Sequence, residues 1–368
     1  MFTKFRLAST LIVLSGVLPL TASAENGTIH LENGIDLTPS LVLGYRNNDN
    51  LLYAQDIELD TQQTRIGAAL LAELKSGRTE YAFNYEGNWL QYNDSSTDNS
   101  DNHFLSFSID TAASESSGLS ARILYNRVHE ERGQGISQGI ATTLLDPVEY
   151  EDKGGELGWK YTLLADKVWF EAGISYLATD YKTQIELTDG KDKDTLTSQL
   201  SFHWVTGNES SVFLQGRHTK IDYDDDHLAG PTRDGDDYRA LVGLRWQRGE
   251  LGAGSIGVGY QNKKFDSPVR EDFNGLSWEL GLEWNPLDRI GFQIESSRAS
   301  VEPPLNGDYI RQILHDLGVS YDLSEFLALQ FSYRYLDHQY IGVDRDEDTS
   351  TYGVESVSYT HLTLPTRS

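Results

Sequence analysis

The chain of 368 residues has no cysteine. Neither a disulfide framework nor a thiolate metal site can be built from it, so other forces must hold its fold. Beyond residue 24 it also lacks any apolar run long enough for a membrane-spanning helix. Basic residues are scarce: 30 Lys and Arg stand against 56 Asp and Glu, a formal net charge of -26. A nucleic-acid or anionic-membrane-surface partner would need clustered Lys and Arg, which argues against both. No GxxxxGK[ST] motif is present, so the chain carries no nucleotide-based energy source of its own. With 38% hydrophobic residues and a mean hydropathy of -0.46, the composition resembles that of a soluble protein. A membrane barrel gives the same reading, because only alternate residues of each strand face lipid.

What is present is a rhythm. Strand-like segments run from about residue 37 to residue 355, joined alternately by tight connectors and by long, acidic ones. The tight ones are 76–78, 112–117, 165–167, 206–210, 248–253, 285–289 and 322–326. The long ones are 47–63, 93–102, 129–151, 182–193, 222–237, 265–274, 300–311 and 337–349. A soluble meander has no reason to keep its long loops on one side, whereas outer-membrane strands run up and down with short periplasmic turns and longer extracellular loops. Residues 1–24 fit the export this requires: Lys4 and Arg6 precede an apolar stretch, and Ala22-Ser23-Ala24 matches an A-x-A cleavage site. A retained anchor is the poorer reading, since that stretch is short and broken by Ser15, Gly16 and Pro19. Residues 25–36 read as a short leader, lying in the periplasm or tucked into a barrel mouth, and 37–357 as the barrel.

Within the segments the period is two. Leu276, Trp278, Leu280, Leu282 and Trp284 alternate with Ser277, Glu279, Gly281 and Glu283. The same split recurs in 168–176, 238–247, 290–295 and 327–335. Soluble sandwiches and lipocalin-like barrels alternate too, but two observations favour lipid. The polar face carries charges of both signs in mid-strand, Glu86, Arg122, Lys160, Glu171, Arg239, Arg245, Glu279, Glu283, Glu295 and Arg334, which suits a wet lumen. Aromatics gather near strand ends on the apolar face, with Trp204, Trp246 and Trp284 at the periplasmic rim and Tyr45, Trp89, Tyr125 and Tyr335 at the outer rim, a girdle. The expected fold is all-β: a transmembrane antiparallel up-and-down barrel of about 16 strands, closed on itself and wide enough for an aqueous channel.

The end of the chain is anomalous. Pro365 cannot donate to a ladder, and 358–366 resembles translated sequencing-adapter readthrough. Residues 358–368 are expected to be a non-native tail on a chain cut short by about two strands, which would make about 18 in the native barrel. The alternative is an authentic last strand with a frayed tail.

Three segments carry a family resemblance: Leu37-Thr38-Pro39-Ser40-Leu41-Val42-Leu43-Gly44-Tyr45 followed by Asp49-Asn50; Tyr85-Glu86-Gly87-Asn88-Trp89-Leu90-Gln91-Tyr92; and Phe265-Asp266-Ser267-Pro268-Val269-Arg270-Glu271-Asp272-Phe273 leading into Gly275-Leu276-Ser277-Trp278. The chain resembles the β-barrel porin 2 family, outer-membrane proteins often associated with exopolysaccharide or capsule loci. The resemblance implies a Gram-negative outer-membrane barrel with a role beside polysaccharide export.

Other chemistry is thinly supported. Asp222, Asp224, Asp225 and Asp226 invite a calcium reading, but His227 sits where an EF-hand loop needs Gly and Arg233 where it needs Glu, so a solvated loop is expected and no metal or cofactor. His103, His203 and His218 on or beside strands, and His129, His227 and His338 at loop margins, show no recurring Ser or Asp spacing of a hydrolase. Glu279 and Glu283 share a face, but any strand brings such residues together, and no shaped cleft marks them as a glycosidase pair. Trp169, on the polar face, could stack a sugar ring, although an interface anchor is the preferred reading. The leading expectation is a non-enzymatic outer-membrane channel, accessory to exopolysaccharide or capsule export, with outer-membrane lipid, lipopolysaccharide, the barrel assembly machinery and a polysaccharide as partners. Its rivals are a non-conducting surface protein with acidic partner-binding loops and, with least support, a lipid-modifying enzyme.

Overall fold

Alternating β-branched and aromatic side chains give each segment a pleated surface with one apolar and one polar side. The computed structural model describes residues 28–53, 59–163, 167–207, 209–224, 231–304, 307–324 and 327–358. They form β1 (Ile29–His30), β2 (Ile35–Asn48), β3 (Thr61–Ser76), β4 (Thr79–Tyr92), β5 (Ser100–Ala112), β6 (Ser117–Glu130), β7 (Val148–Leu163), β8 (Val168–Tyr181) and β9 (Lys193–Gly207). There follow β10 (Ser210–Tyr223), β11 (Gly235–Gln247), β12 (Gly252–Phe265), β13 (Phe273–Leu287), β14 (Ile290–Val301), β15 (Tyr309–Ser324), β16 (Leu327–Ile341) and β17 (Arg345–Ser358). One helical turn, Ile185–Thr188, interrupts the β8–β9 connector.

From β2 to β17 every strand pairs antiparallel with the next, in one up-and-down sheet. The two-residue β1 folds back on the start of β2, pairing Ile29 with Leu37 and His30 with Asp36, so the described part of the leader lies against the tight-turn end of the sheet. The expected signal segment 1–24 lies outside the described residues, as do 25–27 and residues 359–368 of the expected tail. Among the described residues β2 and β17 do not pair with each other, so the sheet is not closed as the lipid argument requires. Beyond the two-residue contact of β1 with β2, the far edges of these two strands carry ladder groups with no neighbouring strand among the described residues.

The connectors keep the expected alternation with one correction. The expected long loop 337–349 is a tight turn at residues 342–344: Gly342, at φ +84°, turns the chain and the ladder continues from Tyr340 paired with Arg345. The acidic composition of 344–348 suggested a loop, but Asp and Glu at the end of a strand beyond the lipid are solvated whether paired or not. Strands of mostly 13–16 residues are also longer than the nine to eleven needed to cross. At about 3.3 Å per residue and a tilt near 40°, fourteen residues rise roughly 35 Å, against an apolar band of about 25 Å. The excess carries the ladder past the lipid at the long-loop end.

The apolar face is turned outward. Leu43 is 73% exposed, Ile123 63%, Leu157 62% and Leu200 58%, whereas Ser201 and Ser277, one residue out of phase with that set, are buried. This inverts the pattern of a soluble protein and fits a solvent made of lipid tails. We expect Leu200→Arg, at the middle of β9, to cost about 2–4 kcal/mol when the chain is refolded into lipid vesicles, read as a lowered urea midpoint. In a water-solvated sheet the same substitution would leave the midpoint unchanged.

Candidate functional site

Because strands alternate, the polar residues of successive strands line up across the ladder into a continuous inner face. On it most of the expected charges meet partners along the same strand or across the ladder. Glu86 lies 3.8 Å from Arg65, and Asn88 joins them by accepting from Arg65 Nε at 2.8 Å and donating to Glu86 at 2.9 Å. Lys160 stands 3.7 Å from Glu171, whose other oxygen is 3.4 Å from His203 Nε2. Arg239 donates to Glu279, with Arg217 at 3.7 Å from the same carboxylate. Arg334 Nε donates to Asp316 at 2.8 Å. Glu295 accepts from Gln293 at 3.2 Å, and Gln293 is in register with Glu283 on β13. Arg122 is in register with Glu156, and Arg245 with Ser211 and Ser255.

Of the residues that complete these contacts, Arg65, Arg217 and Asp316 were not singled out in the sequence, and His203 was named there only among histidines without a hydrolase spacing. They share the same alternation, but their partners depend on register, which no single strand displays. The result is a face of compensated charge rather than a ring of loose ions: each half-buried group has an opposite charge or an amide within reach.

Trp169 departs from the preferred interface reading. It lies on the inner face, donating to Glu171 Oε1 at 3.1 Å and stacking on His203 with centroids 4.5 Å apart and planes 4° from parallel; Lys160 Nζ sits 5.2 Å from its ring centre. His203 in turn faces Phe213 at 5.8 Å. Phe213 lies over Gly243, where a Cβ would come within 2.5 Å of the ring, so glycine makes room for the aromatic row. The expected girdle residues stand on the other face: Tyr45, Trp89, Trp204 and Trp284 are exposed, and Tyr125, Trp246 and Tyr335 are partly so. Tyr125 and Tyr335 donate to Glu151 and Asp348 at 2.8 and 2.9 Å, which places their hydroxyls in a polar rim.

At the long-loop end two elements fold over the inner face. The first is the connector 131–147. Its Arg132 makes a two-point bond to Asp98, 2.6 Å from Nε, and donates to Leu144 O at 2.8 Å. Ile136, Ser137 and Ala141 are buried with Leu51 and Leu52 of the β2–β3 connector. Gly133, at φ +89°, lies so close to Leu52 that a Cβ would meet its carbonyl oxygen at 2.3 Å. The connector reaches both edges of the sheet, through Arg46–Glu131 at 3.3 Å on β2 and Gln138–Glu347 at 3.1 Å on β17.

The second is the outer part of the β14–β15 hairpin. β13 and β14 pair from the tight-turn end only as far as Trp278 and Arg298, whereas β14 and β15 continue to Val301 and Ile310. The hairpin therefore leaves the wall. Ser300 N donates to Gln261 on the inner face of β12 at 3.0 Å, Glu302 meets Lys263, and Tyr223 of β10 donates to Glu302 at 2.7 Å. Arg270 holds the tip through Asp308 at 2.8 Å. Phe265, Phe273 and Tyr309 form a small core beside it.

Lys220 holds Asp222 at 2.6 Å, Asp225 and Asp226 lie outside the described residues, and among the described residues no group of three or more metal-ligating side chains occurs. Breaking the Arg132–Asp98 pair should release the cover without unfolding the sheet. We expect Arg132→Ala to destabilise the connector locally by about 3 kcal/mol, read as faster proteolytic cleavage within 131–147 while heat-modifiable migration of the whole protein in gels is unchanged.

Comparison with solved structures supports the architecture. The siderophore receptor PiuA from Acinetobacter baumannii matches at 10% identity and a TM-score of 0.50, over 88% of this chain and 63% of that one. The FrpB iron transporter from Neisseria meningitidis, F5-1 variant, matches at 12% identity and a TM-score of 0.50, over 90% and 61%. The chain thus spans about six tenths of the length of these proteins, and at such identity the likeness speaks for the fold alone. No curated protein matches the chain. The family described as "Putative beta-barrel porin 2" matches residues 37–360, from the first residue of the expected barrel onward. With the alternating strands, the outward apolar face and this match over most of its length, the chain belongs to the beta-barrel porin 2 family.

Proposed function

We propose that the protein is a passive channel of the bacterial outer membrane, reached by way of a cleaved signal peptide and the barrel assembly machinery, that passes polar solutes and serves as an accessory to the movement of a polysaccharide or its fragments. The observation that carries this reading is the inner face, where paired charges run from Arg65 and Glu86 on β3 and β4 to Asp316 and Arg334 on β15 and β16. A lumen of this kind has no use for so many ionisable groups unless water reaches it, and lumen charges of both signs tune what passes. Lipid and lipopolysaccharide would contact the exposed apolar band and its aromatic rims.

The second reading, a non-conducting surface protein, draws on a specific observation as well: the connector 131–147 and the β14–β15 tip lie across the outer mouth. Single-channel recording in planar bilayers separates the two. A channel gives conductance steps that oligosaccharides block in a size-dependent way, and deletion of residues 134–144 enlarges the steps. Absence of steps both before and after the deletion would sink the channel and favour the scaffold. Charge reversal on the wall supplies a finer check. Glu279→Lys leaves Arg217 and Arg239 without their carboxylate, so the reversal potential in a salt gradient should move toward anion preference.

A further inference from the structure

The face turned to lipid also carries charge, confined to the outer ends of the strands. At or just past the ends of β6, β7, β8 and β10, the alternation that exposes Ile123, Leu157, Ile174 and Leu214 turns Arg127, Lys153, Lys182 and Lys220 outward as well. Each of these cations has a carboxylate on the same face. Arg127 meets Glu149, Lys153 meets Glu151 and Asp180, Lys182 meets Asp180, and Lys220 meets Asp222. In a chain with 30 basic and 56 acidic residues, that is the ordinary outcome.

Arg298 on β14 and Arg311 on β15 depart from it. Both continue the outward phase of their strands, which Ile290, Phe292 and Ile294 set on β14 and Leu317 and Tyr321 on β15. Arg298 donates to Leu276 O at 3.2 Å, and its guanidinium carbon lies 5.8 Å from the ring centre of Trp278. Arg311 donates to Gln339 Oε1 at 2.6 Å and hydrogen-bonds Tyr309. All of these partners are neutral. Among the described residues neither guanidinium forms an ion pair with a carboxylate, whereas the neighbouring Arg270 and Arg334 do. Register sets one carboxylate on their face, Asp337 opposite Ile313, and one further titratable group, His315, stacked on Tyr335.

The two arginines are close to one another. Arg298 pairs with Ile313, two positions from Arg311, which makes them diagonal neighbours with Cβ atoms roughly 7 Å apart. Ile290 and Tyr321 pair at the tight-turn end, and the arginines stand eight and ten residues further along. At about 2.5 Å of height per residue for a tilt near 40°, that places them roughly 20–25 Å up, at the outer boundary of an apolar band of about 25 Å. Below them the face is apolar through Ile294, Leu317 and Phe331. Arginine stems lie along such a surface while their forks reach for polar groups at its margin, and paired forks match the oxygens of a phosphate.

We propose that Arg298 and Arg311, beside Trp278, form a binding site on the outer wall for the phosphate of a lipid headgroup in the outer leaflet, with the acyl chains lying on the apolar surface below. The site rests on the outer-membrane part of the proposed function and names the place where lipid is held. Charge complementarity singles out this occupant: two guanidiniums without carboxylates, at headgroup level, in a protein that compensates its other outward cations.

Native mass spectrometry of the full-length, detergent-solubilised chain tests this with three lipids: diphosphoryl lipid A, phosphatidylglycerol and the phosphate-free digalactosyldiacylglycerol. At least one phosphorylated lipid should be retained more tightly than the galactolipid. Arg298→Gln with Arg311→Gln should lower that retention roughly tenfold or more, while Arg298→Lys with Arg311→Lys keeps the charge and most of the binding. Lys153→Gln with Lys182→Gln, which removes carboxylate-paired cations, should leave retention unchanged. Heat-modifiable migration in gels shows that each variant is folded. Retention of lipid A alone identifies lipopolysaccharide as the source, and retention of phosphatidylglycerol a phospholipid; either supports the site. If the galactolipid is held as tightly, if the folded arginine-to-glutamine variant retains as much lipid, or if the lysine variant loses as much, the arginines only brace the split between β13 and β14 and the proposal fails. Retention is read without current. A chain that conducts but shows no phosphate preference keeps the channel and loses the site; one that holds the phosphorylated lipid and never conducts does the reverse.

Discussion

Inside hydrocarbon a peptide group finds no water, and its N–H and C=O must bond to another peptide group or remain unpaired at a cost of several kcal/mol. The rest of this structure follows from that constraint. It makes the strands pair without interruption from β2 to β17, and it confines the irregularities of register to places beside tight turns, at Ser210/Ser211, Trp284/Leu287 and Asp322/Ser324. Once the ladder is fixed, the pleat sends every second side chain into lipid, so the apolar residues lie outside and the ionisable ones within. No conventional core is then needed. Most of the buried apolar residues instead collect at the long-loop end, where the chain has left the membrane and water again rewards their burial.

Much of this architecture was legible in the sequence, because a period of two is a local property. Leu276 to Trp284 displays it unaided, and the Gly77 turn between β3 and β4 announces itself by composition. What was not legible depends on two strands at once. Glu86 could be placed on the polar face, but its partner Arg65 emerges only when β3 and β4 are set in register. Trp169 illustrates the same limit: its position near a strand end suggested an interface, whereas its stacking partner His203 lies across the ladder. Acidic composition misled at 337–349, since beyond the lipid a charged strand and a charged loop look alike. The inward turn of the β14–β15 hairpin has a faint signal at best, in the apolar residues Val301 and Ile310 where an extracellular loop would be polar.

The inner face reconciles an acidic protein with a structured interior. Mid-strand carboxylates set beside arginines and lysines cost less than they would alone, because each charge is solvated by its neighbour as well as by water. The arrangement also stiffens the wall. Long side chains held across strands, such as Arg239 over β12 to Glu279, brace the ladder in the direction where backbone bonds alone would let it shear. Charge compensation and rigidity are then two effects of the same contacts.

The connector 131–147 touches Arg46 near the beginning of the sheet and Glu347 near its end, through Glu131 and Gln138, only seven positions apart. Seven residues of chain span at most about 25 Å, so this short tether bounds how far the two margins can part. The contact with β17 also joins residues separated by 209 positions in sequence. Bringing such distant segments together is entropically the slowest kind of closure. The tether can therefore be fastened only after every intervening hairpin has been laid down, which makes it a clasp that completes assembly rather than one that starts it.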